Sequence, residues 1–362
     1  MVYTKPHYEI LDGLRGVAAI MVVAFHVMEA FATSRFDQIL NHAHLAVDFF
    51  FVLSGFVIGY AYDDRWGKMS IGHFLKRRIF RLQPMVVFGT VLGVILFYFG
   101  ASTVFPLIQQ VPVWKVLIYA LLGMLLIPTP PSMDIRGWQE MYTLDAPVWS
   151  LAFEYIANIL YALFVRKFSK IALSILVFIA ACATLYLSLK QGDLIGGWAL
   201  DSHHLHVGFT RLIYPFFAGL LLYRMGQLIH LRRAFLWCSL LFIAVLVVPR
   251  IGGPETLWMN GLYEAAIVII IFPLIVFMGA SGEIKGKYTS KICKFLGDIS
   301  YPLYLVNYPL CYIHTGWISD TKYTFTEAGW MPLLVFTASI LLAYLALKLF
   351  DEPVRKWLRK FI

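Results

Sequence analysis

Long apolar runs recur from one end of the chain to the other, and no other feature of the sequence limits its fold as strongly. Ten of them, 14–31, 43–62, 79–100, 147–165, 171–189, 209–223, 234–249, 257–278, 299–316 and 330–349, read as membrane-spanning helices. A hydrocarbon core about 30 Å thick takes about 20 helical residues to cross, because each residue rises about 1.5 Å. With 60% hydrophobic residues, 14% charged residues and a mean hydropathy of +0.73, the composition excludes a water-soluble globular domain. The expected architecture is an all-α polytopic transmembrane bundle in which residues 1–362 form one domain. The first run carries a histidine and no small-residue cleavage site, so it reads as a span and not as a removable signal peptide.

An eleventh run, 112–127, is ambiguous by hydropathy, and the loops decide it. With a cytoplasmic N-terminus and 112–127 taken as re-entrant or interfacial, the inner face collects Lys5, Arg15, "DDRWGKMSIGHFLKRR" with Arg81, "RKFSK", "RMGQLIHLRR", "KGKYTSKICK" and "KLFDEPVRKWLRK". That is 23 of the 30 basic residues, the bias expected of loops held in the cytoplasm. Letting 112–127 cross would reverse every later loop. The expectation is therefore ten crossings with both termini cytoplasmic. The net charge of +9 is then a topology signal facing membrane lipids, not the footprint of a nucleic-acid partner. Trp114, Trp138, Trp149, Trp198, Trp258, Trp317 and Trp330 fall near the outer boundary and Trp66 and Trp357 near the inner one, where indole rings are favoured.

Against this background the ionisable residues inside the spans stand out. His26, in "VAFHVMEAF", lies in the outer half of the first span. Asp48 occupies the matching depth of the second, and Glu154, in "APVWSLAFEYIANILYALF", a similar depth of a third. Charge at such depth costs about 2.5–3.5 kcal/mol on insertion scales, so these groups are candidate catalytic residues. A neutral imidazole held by a carboxylate can take a proton from an attacking hydroxyl. The bland alternative is a polar contact that only fixes helix packing.

The inner face carries a second constellation. In "HFLKRRIFRLQP", Arg78 and Arg81 are spaced i, i+3 and Arg77 and Arg81 i, i+4, so guanidinium groups share a helix face. Forked donors of this kind match phosphate oxygens, although a basic cluster beside a membrane also arises as a topology signal. Arg15, just inside the first span, must turn toward the headgroups or meet an anion. Tyr301, Tyr304 and Tyr308 form one helical stripe, and Ser54–Gly55 permits close helix approach. The histidines of "NHAH" and "DSHHLH" and the four dispersed cysteines lack metal-ligand spacing, so no metal is expected.

Taken together, "LDGLRGVAAIMVVAFH" (11–26), "VDFFFVLSGFVIGY" (47–60), "FLKRRIFRLQP" (74–84), "VWSLAFEY" (148–155), "ISYPLYLVNYP" (299–309) and "DEPVRKW" (351–357) resemble the membrane-bound acyltransferase-3 family. Its members O-acylate cell-surface saccharides and some small molecules. The resemblance implies that His26 matches an essential first-span histidine and Arg15 the arginine of an "LRG" motif. It implies that Arg78 and Arg81 match an RxxR motif associated with the acyl-CoA donor, and Glu154 the acid of a "WSL…E" stretch. Tyr301 and Tyr304 match a late-span "SY…YL" element, as residues lining an acceptor site or channel. Asn307 departs from the family, which often has histidine there. The chain ends soon after its last span, so transfer to the acceptor is expected within the membrane segment.

The activity so implied is O-acyl transfer, with acetyl-CoA as donor, a saccharide or lipid-linked glycan as acceptor, and a bacterial inner membrane as location. Phosphates would dock on Arg78, Arg81, Arg77 and Arg15. His26 would act as base, directly or through an acyl-histidine, with Asp48 or Glu154 holding its ring. Acylation of a small metabolite such as a macrolide is the alternative acceptor reading. A proton-coupled transporter is the alternative from another class, since such proteins also bury histidine and carboxylate.

Overall fold

Each apolar run folds into helix in the computed structural model, which describes residues 7–226, 231–284 and 286–361. Lys5, Lys285 and 227–230, all within the basic loops counted above, lie outside the described residues. The helices are α1 (Glu9–Glu29), α2 (Ala46–Tyr62), α3 (Ile71–Leu96), α4 (Val113–Met124), α5 (Val148–Leu163), α6 (Lys170–Gln191) and α7 (Ser202–Met225). They continue as α8 (Ala234–Val247), α9 (Leu257–Ala266), α10 (Phe272–Ala280), α11 (Lys287–Thr321), α12 (Met331–Ala346) and α13 (Glu352–Leu358). Among the described residues, seven helical segments are long and apolar enough to cross a membrane. Among the described residues the extended pairing is limited to two isolated bridges, so the fold is all-α. The 112–127 run becomes the 12-residue α4, about 18 Å long and well short of the bilayer core.

Two helix contacts set the frame, and glycines make both. In α1, Gly16 packs on Leu296 of α11, where an added Cβ would stand 2.5 Å from the Leu296 carbonyl oxygen. In α2, a Cβ on Gly55 would stand 1.7 Å from the carbonyl oxygen of Phe216 in α7, and one on Gly219 of α7 would stand 2.0 Å from that of Val52. Small residues let helix backbones meet in this way where lipid supplies no hydrophobic drive. The "LRG" and "LSG" glycines therefore seat α1 and α2 in the middle of the bundle, with α6 and α12 at its edge.

Two prolines shape the rest. Pro273 and Pro353 cannot donate a backbone hydrogen bond, and each follows a π-helical stretch, Ile267–Ile271 and Leu347–Asp351. The first joins α9 to α10. The second turns the chain after α12 so that Asp351 and Arg355 reach the bundle interior. Of the tryptophans expected at the outer boundary, Trp114, Trp258 and Trp330 are exposed, whereas Trp138, Trp149 and Trp198 line an internal cavity. Cys238, Cys293 and Cys311 are buried as core residues, and Cys182 is exposed on α6.

Candidate active site

Two cavities open at opposite ends of α1. The inner one, about 550 Å³, takes Asp12 and Arg15 from the start of α1, Arg78 and Arg81 from α3, and Glu154 from α5. Lys294, Tyr301 and Tyr304 of α11 and Asp351 and Arg355 beyond α12 complete the part relevant to charge. Most of its cations are already held: Arg15 Nη1 by Asp12 Oδ1 at 3.1 Å, Arg78 Nη2 by Glu154 Oε1 at 2.5 Å, and Arg355 Nη2 by Asp351 Oδ2 at 2.6 Å. Arg81 differs. Its guanidinium faces the cavity and has no ion pair or hydrogen bond to a described residue. A rigid five-donor fork left open beside two fixed arginines is an arrangement that suits a phosphate-bearing ligand.

The outer cavity, about 390 Å³, is walled by Phe25, Trp138, Trp149, Trp198 and Tyr308, with His26, Glu29, Gln38, His44, Glu140 and Arg211 among its polar groups. His26 Nδ1 lies 3.0 Å from Glu29 Oε2, one turn further along the same helix. An ionised carboxylate only accepts, so the pair places the ring proton on Nδ1 and leaves Nε2 as a base. The ring stands edge-on to Tyr308 at 4.6 Å between centroids. It also borders an adjoining recess of about 380 Å³ with Trp138, Tyr312 and Ser319. In the segment between α4 and α5, burial pushes the Glu140 carboxyl up to about 7, opposed by the nearby Arg136 charge and a hydrogen bond from the Tyr312 hydroxyl. The Arg136 guanidinium in turn lies 3.5 Å from the centre of the Tyr312 ring.

Three sequence expectations need correction. Asp48 does not hold His26; it is fully buried and clasped by Arg211, with Nη2 to Oδ2 at 2.6 Å and Nε to both oxygens at 3.2 Å. Arg211 also donates to the carbonyls of Gly196 and His44, so this is a saturated structural pair tying α2 to α7. Glu154 does not hold His26 either, because it receives Arg78 and, at 2.6 Å, the Ser54 hydroxyl in the inner cavity. Arg77 points away from that cavity and donates from Nε to His73 Nε2 at 2.8 Å. Arg77 stands about 100° around the helix from Arg78, and although it shares a face with Arg81, its side chain turns back one turn to His73 instead of entering the cavity.

Arg15, Arg78, Arg81, Tyr301 and Tyr304 do meet around one cavity, and His26 lines the other. Glu29 and Arg211 were missed. Glu29 sits three residues from His26, on the same helix face, and that spacing was its signal. Arg211, alone in "VGFTRLIYPFF", was equally visible as an unexplained charge in an apolar run. The histidines of "NHAH" both engage one buried carboxylate, His42 Nδ1 at 2.9 Å from Glu264 Oε1 and His44 Nε2 at 3.2 Å from its Oε2.

An acyltransferase domain is matched over residues 8–348, a span that takes in all of the outer cavity and the inner one except His7, Asp351 and Arg355. The chain belongs to the acyltransferase-3 family. It is similar to protein 2 in the picA locus of Rhizobium radiobacter, 34% identical over 160 residues, 42% of this chain and 80% of that protein. It is similar over 98% of its length to the peptidoglycan O-acetyltransferase OatA of Listeria monocytogenes, at 24% identity, and that match spans 57% of OatA. With the acyltransferase MdmB of Streptomyces mycarofaciens it shares 30% identity over 172 residues, 44% of this chain and 40% of MdmB. The chain thus spans about half the length of the last two relatives. No solved structure matches it. Family and relatives together make this multi-pass membrane protein an O-acyltransferase.

Proposed function

We propose that the chain moves a short acyl group, acetyl in the first instance, from cytoplasmic acyl-CoA to a hydroxyl of a cell-surface or exported saccharide. Its location would be a bacterial inner membrane, with both termini in the cytoplasm. The observation that carries this reading is the division of one bundle into an open cationic chamber and an imidazole chamber at opposite ends of α1. Eleven residues separate Arg15 from His26, about 16 Å along the helix, so a donor with phosphates at one end and a thioester at the other suits the span.

In this reading Arg81, with Arg15 and Arg78 beside it, holds the donor phosphates. His26 Nε2 takes the proton of the acceptor hydroxyl as its oxygen attacks the thioester carbonyl, and Glu29 stabilises the imidazolium. The carbon–sulfur bond then breaks, and the departing thiolate takes the proton from Nε2. The aromatic walls and few polar groups of the outer cavity suit an amphipathic polyol. The similarity to OatA supports a glycan acceptor, and that to MdmB favours a small hydroxylated metabolite as the second reading. The transporter alternative gives way to the family match.

The test is transfer of labelled acetyl from acetyl-CoA to candidate acceptors by the purified protein. His26→Ala should lower turnover by about 10²-fold or more while gel filtration and thermal unfolding stay unchanged. Turnover at the wild-type rate in that variant would sink the mechanism. Arg81→Ala should chiefly raise the KM for the donor.

A further inference from the structure

The two chambers touch at a single partition. Val47 of α2 and Tyr304 of α11 are the residues that line both the inner and the outer cavity. Each is nearly closed over, at 9% and 8% exposure, so the passage between the chambers is filled by an isopropyl group and a phenol ring. The ring is latched: its hydroxyl and the Ser150 Oγ of α5 are 2.7 Å apart, and Phe50 packs edge-on to it at 5.5 Å. The backbone beneath it is loosened, because Pro302 and Pro309 each remove a rung of the α11 hydrogen-bond ladder on either side of Tyr304.

Resting on the assignment of donor and acceptor chambers just given, the geometry points to Val47 and Tyr304 as the filter that sets acyl-group size. The thioester must pass from the Arg81 chamber to reach His26, and these two side chains occupy the path. A two-carbon acyl group needs only a small displacement of the ring, since the Ser150 hydrogen bond joins two neutral groups and is readily exchanged. A longer chain must pass between Val47 and the ring ahead of the thioester, and packed side chains resist added methylenes. Val47 is therefore a specificity residue, and the Tyr304–Ser150 latch keeps the two chambers apart between turnovers.

Two measurements on the full chain test this. In the first, kcat/KM is measured for acetyl-, butyryl- and hexanoyl-CoA with wild type, Val47→Ala and Val47→Phe. The butyryl-to-acetyl ratio should rise about 10-fold or more in Val47→Ala and fall in Val47→Phe, as expected when a pocket gains or loses methylene space. In the second, Ala146→Cys places a thiol in the outer cavity. Methanethiosulfonate reagents of graded size are then applied from the Arg81 face of sealed vesicles, with labelling of residue 146 read by peptide mass spectrometry. Adding Val47→Ala or Tyr304→Phe should accelerate labelling, most for the larger reagents. A labelling rate insensitive to both substitutions overturns the filter, as does an unchanged acyl ratio across the Val47 series. If labelling responds but wild type uses no acyl-CoA, the partition stands and the donor assignment falls.

Discussion

In the proposed mechanism His26 is made reactive by a neighbour that costs the fold little. Glu29 lies at the outer end of α1, half exposed, where its charge remains hydrated, yet it reaches Nδ1 at 3.0 Å. The other carboxylates, the buried Asp48 and the half-buried Glu154, are each paired with an arginine. Glu29→Gln is therefore expected to lower kcat by about 10- to 100-fold, a part of what a positioned base contributes. The KM values of donor and acceptor should stay within about twofold, because Glu29 acts through the imidazole. A variant with altered KM and wild-type kcat would make Glu29 a binding group instead. At this scale the sequence was legible for lone charges and illegible for their partners. A histidine or arginine in an apolar run announces itself by cost. Which carboxylate answers it depends on helix rotation, and rotation is set by packing that hydropathy does not contain.

Elements were legible where length and composition agreed. Every expected span coincides with helix, and among the described residues seven segments are long and apolar enough to cross, whereas α5 and α8, expected as spans, fall with α4 among the shorter apolar helices. The sequence did not show that α11 runs 35 residues, about 52 Å, against the expected 299–316. Its first turns, "KYTSKICKFLGD", are amphipathic, so a hydropathy window drops them while the helix continues below the membrane and carries Lys294 to the inner cavity. The π-helical stretches before Pro273 and Pro353 were equally hidden, since proline alone does not say whether a helix ends or bulges. Close approach, by contrast, was foreshadowed by Ser54–Gly55. Gly55→Ala would drive a methyl group into the Phe216 carbonyl and push α2 from α7, which also strains the Asp48–Arg211 clasp. The expected loss is about 1–3 kcal/mol or more, read as a lower Tm or a smaller monodisperse fraction in detergent. An unchanged Tm would mean that the two helices separate without penalty.

At the scale of the whole molecule, the cavities themselves report the topology. Arg15 near the start of the chain and Arg355 near its end line the same inner chamber, so both ends of the described chain lie at one face. Charge sorting predicts that this face is the cytoplasmic one. The decisive element is α4, because counting it as a crossing would invert everything after it. Its flanks argue against that. Phe105, Ile108 and Val111, before α4, share one apolar cluster with Ile135 and Leu144, after it, and with Tyr312 from the outer part of α11. A helix of about 18 Å whose two ends return to one cluster is expected to dip into the membrane and leave by the same side. Single cysteines at Gln110, Ser132, Thr326 and Gly67, all exposed positions, put this to measurement. A membrane-impermeant maleimide applied to intact spheroplasts should label positions 110, 132 and 326 and spare 67, which should react only after permeabilisation. Labelling of 110 and 132 from opposite faces would make α4 a true span. It would also put Arg15 and Arg81, before α4, on the opposite face from Arg355, after it, so the same four cysteines test the single inner chamber on which the proposed acyl-CoA site rests.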